Sequence, residues 1–174
     1  VIMAIILGVD PGSRKTGFGI IEFDQGRSRY ISSGVIRLID KPIPDRLRVI
    51  AESIEELIQL YTPSDLAIEQ VFMARSADAA LKLGHARGAA IVACVTRGMT
   101  AYEYSARQIK QAVVGTGAAD KKQVQHMVTR LLQLPGVPTE DAADALAAAL
   151  CHAHTQSSMI HMAGATATRR RRLR

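Results

Sequence analysis

The stretch Leu7-Gly8-Val9-Asp10-Pro11-Gly12 organises the fold of this chain. An apolar run from Met3 to Val9 ends in the carboxylate of Asp10, and Pro-Gly turns the backbone directly afterwards. A run of this length rich in Ile and Val is typical of a strand buried on both faces. The carboxyl ends of such strands are where α/β proteins place functional groups. Because Asp-Pro-Gly is also ordinary turn chemistry, this stretch alone leaves a structural and a catalytic interpretation of Asp10 equally open.

Length and charge predict one domain followed by a basic tail. The chain has 174 residues, with 48% hydrophobic and 22% charged residues, as in soluble globular proteins. Its net charge of +6 comes mostly from five arginines among the last six residues, because the other 17 basic residues nearly balance 16 acidic ones. We expect residues 1–156 to form a single domain and residues 157–174 to form a disordered basic tail.

The two cysteines indicate a reducing compartment. Cys94 and Cys151 both lie in Ala-rich helical patterns, where a thiol packs as a small apolar side chain. The apolar runs are too short to span a membrane. We therefore expect a cytoplasmic protein without a membrane partner.

The order of predicted elements defines the fold class. The predicted strands cover residues 3–9, 17–24, 29–38, 65–71 and 100–104, and the predicted helices cover about 45–61, 76–98, 105–114, 120–134 and 140–154. The first three strands have the spacing of an antiparallel meander, and helices then alternate with strands. We predict an α/β fold with a five-stranded mixed sheet flanked by helices on both faces, which is the ribonuclease H-like pattern.

Three further acids stand in unusual surroundings. Glu69 interrupts an otherwise apolar strand, and burying it is costly unless it is paired or binds a metal; an edge strand with one wet face is the alternative. Asp141 and Asp144 are three residues apart and project from one face of the last predicted helix. Asp141 also suits a helix N-terminus, whereas Asp144 lies deeper, in an Ala-rich packing stretch.

These acids share a site only if a positive charge lies among them. Two carboxylates about 4 Å apart repel by about 4 kcal/mol at an effective dielectric constant near 20. Oxygen ligands without His or Cys favour Mg²⁺ or Mn²⁺. A pair of such ions about 3.5–4 Å apart hydrolyses phosphodiesters, because one activates water and the other stabilises the leaving oxygen.

Three motifs in this order resemble the RuvC family, the bacterial Holliday junction resolvases of the ribonuclease H-like superfamily. They are residues 7–17 (LGVDPGSRKTG), residues 67–72 (AIEQVF) and residues 141–145 (DAADA). The resemblance implies a catalytic, metal-binding tetrad of Asp10, Glu69, Asp141 and Asp144 with two Mg²⁺ ions, which Mn²⁺ could replace. It implies paired symmetric cutting of four-way DNA junctions in recombination and repair. It also implies a homodimer that works with a branch-migration complex (RuvA and RuvB).

Several residues near these acids are candidates for DNA binding. Phe72 follows Glu69 by three residues, in a loop of small and polar residues, and suits either base stacking or anchoring of the loop to the core. The resemblance favours DNA contact by Phe72, and it matches Lys110 and Lys121 to basic residues of the family. Asp120 and Gln123 have capping-box spacing, which places two lysines in the first helical turn against the helix dipole. The remaining phosphate candidates are Arg14, Lys15, Arg75 and Lys122.

Small residues at helical spacing indicate a close helix contact. Ala80, Gly84 and Gly88 form a stripe on the second predicted helix, which suits another helix of the same chain or of a second copy. The resemblance implies homodimer pairing through this helix. A dimer with a two-fold axis would present two equivalent sites to a two-fold-symmetric junction.

Three other functions compete with junction cutting. An actin-like or sugar-kinase ATPase shares the strand-Asp-x-Gly start but needs two lobes, and 174 residues supply one. A resolvase-like RNA-processing nuclease shares the first motif. A catalytically silent junction-binding module would be favoured by loss of a tetrad acid, and all four positions hold acids.

Overall fold

Strands and helices follow one another in the predicted order. A computed structural model of the chain describes residues 3–38, 40–70 and 76–171, with the surroundings of side chains described as far as residue 159. The elements of these residues are β1 (Ala4–Asp10), β2 (Lys15–Asp24), β3 (Arg27–Arg37), α1 (Ile43–Tyr61), β4 (Asp65–Glu69), α2 (Ala77–Val95), β5 (Thr100–Tyr104), α3 (Ala106–Val114), α4 (Lys121–Leu131) and α5 (Glu140–Arg171).

The strands form one mixed sheet in the order β3-β2-β1-β4-β5. The three strands of the meander are antiparallel to one another, while β4 is parallel to both β1 and β5. The predicted five-stranded mixed sheet is confirmed. Since β4 lies between β1 and β5, the alternative that Glu69 belongs to an edge strand is wrong.

Helices cover both faces of the sheet, as predicted. The helices α1 and α2 bury Ile50, Ile54 and Ala90 against one face, together with Leu7 and Val9 of β1. The other face packs against α3, α4 and α5. Side chains alternate between the faces of a strand, so a residue two positions from another on β1 or β4 lies on the same face.

Glycines let α5 approach the sheet at backbone distance. A Cβ atom at Gly8 would overlap the carbonyl oxygen of Ala145, and one at Gly17 would overlap the carbonyl oxygen of Asp141. A Cβ atom at Gly19 would lie 2.6 Å from Cγ of Leu146. Glycine within a strand often marks such a close approach. The packing fixes the position of α5 over β1 and β2.

Some helix ends differ from the prediction. The N-cap of α1 is Pro42, and Asp45, where the predicted helix begins, lies in the first turn and pairs with Arg48 at 3.0 Å. The last helix, predicted to end near His154, continues to Arg171. The domain boundary at residue 156 stays a prediction.

Two other local predictions, the capping box of α4 and the burial of both cysteines, are confirmed. Asp120 and Gln123 form a capping box at the start of α4. Cys94 and Cys151 are free and buried, and burial raises the pKa of their thiols to about 12 and about 11. In the described part of the chain, no helix has the length and apolar character needed to cross a membrane.

Candidate active site

Asp10 and Glu69 lie side by side at the carboxyl ends of two central strands. The parallel register pairs Val9 with Ile68, so the residue that follows each, Asp10 or Glu69, stands beside the other. Adjacent strands are about 4.8 Å apart. Both acids lie on the face covered by α5, because Asp10 is two residues from Gly8 and Glu69 is two residues from Ala67.

The other two acids come from the beginning of α5. Asp141 and Asp144 lie in its first two turns, and the contact between Gly17 and the backbone of Asp141 holds these turns against the sheet. Because Gly17 pairs with Asp10 across β1 and β2, the start of α5 lies over the strand end that carries Asp10. The fold therefore brings together acids from three separate parts of the sequence.

An open cavity of about 270 Å³ lies at this end of the sheet. Its walls combine three of the four acids with two lysines and a small apolar side: Asp10, Glu69, Asp144, Lys110, Lys121, Ala106, Ile109 and Val124. Asp141 does not line it. The carboxylates of this cavity suit cations, and its ammonium groups suit the phosphates of a ligand.

The acids act on one another electrostatically. Burial, and after it the charges of Asp144, Glu69 and Asp141, together raise the pKa of Asp10 to about 8, against the opposing charge of Lys121. Burial also raises the pKa of Glu69 and that of Asp144. Asp141 adds to the rise at Asp144, so all four predicted tetrad residues are coupled within one site.

Lys121 supplies a positive charge among these carboxylates. Its ammonium group pairs with Glu140 and lies 3.7 Å from Oδ2 of Asp144. These two acids and Asp10 raise the pKa of Lys121. Over the residues with described side chains, no three Asp, Glu, His or Cys side chains are oriented to hold one ion together. With Lys121 placed in this way, cation binding requires side chains to reorient.

The donor set nevertheless fits a hard divalent cation. Every acidic group in the cavity offers carboxylate oxygen, which is the ligand that Mg²⁺ and Mn²⁺ prefer. The raised pKa of Asp10 reflects negative charge gathered in a buried place, which a divalent cation would relieve.

The predicted DNA-binding residues fall into two groups. Lys110 and Lys121 line the cavity, and Lys122 is exposed next to Lys121. Arg14 lies in the connection between β1 and β2, and Lys15 is the first residue of β2, so both are exposed at the end of the sheet that carries Asp10. Phe72 and Arg75 lie outside the described residues, and their predicted roles stay predictions.

Two glycines of the predicted interface stripe on α2 have no close neighbours among the described residues. No described atom lies within 4 Å of where a Cβ atom would be at Gly84 or Gly88, so neither glycine serves a tight contact within the described part of the chain. Leu81, Val92 and Val95 are also exposed and have the spacing of the same helix face.

Sequence reasoning did not identify several residues that shape the site. Glu140, the first residue of α5, pairs with Lys121. Arg87 of α2 donates from Nε to the carbonyl oxygen of Glu69 at 3.1 Å. The glycines of β1 and β2 carried a usable signal, because glycine inside an apolar strand indicates close approach.

The fold and its carboxylate-lined cavity define a nuclease of the ribonuclease H-like class. The sequence profile of the family "Crossover junction endodeoxyribonuclease RuvC" matches residues 6–152. A crossover junction endodeoxyribonuclease RuvC of Saccharophagus degradans is 62% identical over 172 residues, which cover 98% of this chain and 99% of the relative.

Solved structures agree with the sequence relatives. The structure of Thermus thermophilus RuvC in complex with a Holliday junction substrate has a TM-score of 0.82 at 33% identity, covering 88% of this chain and 94% of that one. The yeast mitochondrial Holliday junction resolvase Ydc2, at 13% identity, shares the fold with a TM-score of 0.68, covering 90% of this chain and 80% of that one. The chain belongs to the RuvC family, which confirms the predicted membership and the ribonuclease H-like fold.

Proposed function

We propose that this chain is a structure-selective endonuclease that resolves Holliday junctions in homologous recombination and DNA repair. It makes paired symmetric cuts by hydrolysis and leaves 5′-phosphate and 3′-hydroxyl ends. The observation that carries this proposal is the register of β1 and β4, which sets Asp10 beside Glu69 under the Asp144 of α5, in one cavity. Membership of the RuvC family supports DNA junctions as substrate over the RNA-processing alternative.

Asp10, Glu69, Asp141 and Asp144 would hold two Mg²⁺ ions, or Mn²⁺ in their place. Bound ions would supply an activated water and would neutralise charge on the leaving oxygen. The chain's own contribution is a rigid strand-end platform, a partly buried site of low dielectric, and carboxylates already close together. Lys121 compensates the acids until cations and DNA arrive.

The lysines of the cavity would bind phosphate groups of the DNA. Lys110 and Lys121 line the cavity together with the acids, and Lys122, Arg14 and Lys15 extend positive charge around the same end of the sheet. Backbone contacts of this kind position DNA without reading its sequence. The resemblance to the family favours DNA contact by Phe72, and Arg75 is a further candidate for phosphate binding.

We further infer a homodimer formed through α2. Leu81, Gly84, Gly88, Val92 and Val95 form one exposed face of small and apolar residues, with Ala80 at its margin. An isologous dimer gives two equivalent cavities for the two cuts. The protein would act in the cytoplasm, downstream of a branch-migration complex of RuvA and RuvB type.

The test is a cleavage assay with the metal varied. Wild-type protein is expected to cut a synthetic four-way junction in Mg²⁺ or Mn²⁺, and to leave linear duplex and R-loop substrates essentially uncut. Asp144→Asn is expected to abolish cutting while junction binding persists. Glu56→Gln changes an exposed acid of α1, across the sheet from the cavity, and should cut like wild type.

Two outcomes would contradict the proposal. Cutting by Asp144→Asn at the wild-type rate would remove this acid from the catalytic set. Equal cutting of junction and linear duplex by the wild type would indicate a nuclease without structure selectivity.

A further inference from the structure

A guanidinium group behind the sheet holds the end of the strand that carries Glu69. Arg87 lies on α2, which packs on the face opposite α5. Its Nε donates to the main-chain carbonyl oxygen of Glu69 at 3.1 Å. Its terminal nitrogen pairs with Oε2 of Glu103 on β5 at 2.6 Å.

Both anchors of Arg87 lie at the same level of the sheet. The register pairs Glu103 with Ile68, the residue before Glu69. The planar guanidinium group of Arg87 therefore connects the last residues of β4 to β5. The Arg87 side chain is 21% exposed and the Glu103 side chain is 45% exposed, so the guanidinium group is partly buried while its carboxylate partner is open to solvent. The last hydrogen bond of this ladder, from the amide of Gln70 to the carbonyl of Tyr104, is 2.8 Å long.

Arg87 adds a side-chain contact to the strand pairing that holds this end of β4. β4 is only five residues long, and Glu69 is its last residue. Burial and like charge from Asp144 both oppose ionisation of Glu69, so its carboxylate is held in an unfavourable place by the backbone. The groups that shift the pKa of Glu69 are Asp144, Lys110 and Lys121, so the contact of Arg87 is with the main chain and not with the carboxylate charge.

We propose that Arg87, braced by Glu103, is a positioning residue that fixes the carboxylate of Glu69 at the depth needed for cation binding. The inference rests on the proposed function of Glu69. An outer partner of a metal ligand typically changes metal affinity or activity by about 10–100-fold. Arginine suits the role because its fork reaches two acceptors at fixed angles, which a lysine ammonium does not.

The first readout needs neither metal nor DNA. In Arg87→Met, hydrogen exchange of the Gln70 amide is expected to accelerate by about 10-fold or more, because the end of the β4–β5 ladder opens locally. The amide of Leu7, in the centre of the sheet, serves as internal reference. Arg97→Met is the matched control, since Arg97 pairs with Glu55 at 3.1 Å beyond the far end of α2.

The second readout is the cation dependence of single-turnover junction cutting. Arg87→Met is expected to raise the half-saturating Mg²⁺ concentration by about 10-fold or more, with junction binding in the absence of Mg²⁺ unchanged. The half-saturating Mg²⁺ concentration of Arg87→Lys should lie between those of wild type and Arg87→Met. Glu103→Gln should raise this concentration less than Arg87→Met does. If Arg87→Met does not fold, Arg87→Lys replaces it, with Arg97→Lys as the matched control, and the inference is tested by the same two measurements.

The result that overturns the inference is specific. Unchanged Gln70 exchange and unchanged Mg²⁺ dependence in the Arg87 variants would make the contact incidental. Loss of junction binding instead would make Arg87 a DNA ligand. Failure of the proposed function looks different, because Glu69→Gln would then cut like wild type whatever the Arg87 variants do.

Discussion

Gly17 of β2 lies so close to Asp141 of α5 that no side chain fits between them. A Cβ atom there would overlap the Asp141 carbonyl oxygen, and Gly8 meets Ala145 in the same way. These contacts set the height of α5 above the sheet. They therefore set the distance between the acids of the helix and the acids of the strands, which joins the packing of the core to the chemistry of the cavity.

Gly17→Ala is expected to damage both stability and cutting. The overlapping atom is backbone, which cannot rotate away, and overpacking of this kind costs about 1–3 kcal/mol. The melting temperature should fall by several degrees, and junction cutting should fall further than the loss of folded protein explains. Gly136→Ala is the matched control, since a Cβ atom at Gly136 meets nothing within 4 Å. An unchanged melting temperature for Gly17→Ala would show that α5 can shift without cost.

Asp10 makes the metal-free protein less stable as the pH rises. Its pKa is about 8 in the folded state against 3.8 as the ordinary value, so the folded chain keeps a proton that the unfolded chain releases. Stability from this group therefore declines from about pH 4 to about pH 8. Asp10→Asn should raise the melting temperature at pH 8 and change it little near pH 4. Thermal unfolding at both pH values, without divalent cation, measures the difference.

Divalent cations should reverse that penalty. Binding to the folded state alone raises the melting temperature by mass action. Millimolar Mg²⁺ at pH 8 is expected to stabilise wild type by a few degrees and Asp10→Asn by clearly less. The same shift in both proteins would place the bound ions elsewhere.

Lys121 and a divalent cation should compete for the same carboxylates. The ammonium group lies 3.7 Å from Asp144 and pairs with Glu140, so removing it leaves more negative charge for a cation. Lys121→Met is expected to increase the thermal stabilisation given by Mg²⁺ while lowering junction cutting. Lys122→Met, which alters the exposed neighbour, should leave the Mg²⁺ shift unchanged. A smaller Mg²⁺ shift in Lys121→Met would mean that Lys121 assists cation binding.

His152 should make stability fall in acid. It is 0% exposed, with its Nδ1 2.7 Å from the Tyr104 hydroxyl and its ring stacked on Tyr102 at 4.1 Å. Burial lowers the pKa of His152 and Asp65, 3.7 Å away, partly opposes this. The unfolded chain then binds the extra proton below about pH 6.5, so stability declines as the pH falls through that value.

The check on His152 is a comparison of slopes. The fall in melting temperature between pH 7.5 and pH 5 should be smaller in His152→Gln than in wild type, whatever the absolute values. His126→Gln removes an exposed histidine of α4 and should keep the wild-type slope. Equal slopes in all three proteins would assign the acid sensitivity to other groups.

The sequence by itself determined the element order, the two-sided sheet and the family. Apolar periodicity and turn residues are local signals. They were enough to predict the strands that contain Val9 and Glu69, and the capping pair of Asp120 and Gln123, without tertiary information. The motif acids were found for the same reason, because a carboxylate within an apolar strand or an Ala-rich helix is visible in the sequence alone. The far end of α5 was misjudged, since a run of arginines does not reveal whether the Ala-rich helix before it stops.

Only the tertiary structure decided how these acids are held and balanced. The register that sets Asp10 beside Glu69, the pairing of Lys121 with Glu140, and the reach of Arg87 to the Glu69 carbonyl all join residues distant in sequence. Such contacts depend on the heights and angles at which elements pack. The packing of α5 on Gly8 and Gly17 fixes those quantities by backbone contact, which local sequence preferences do not specify.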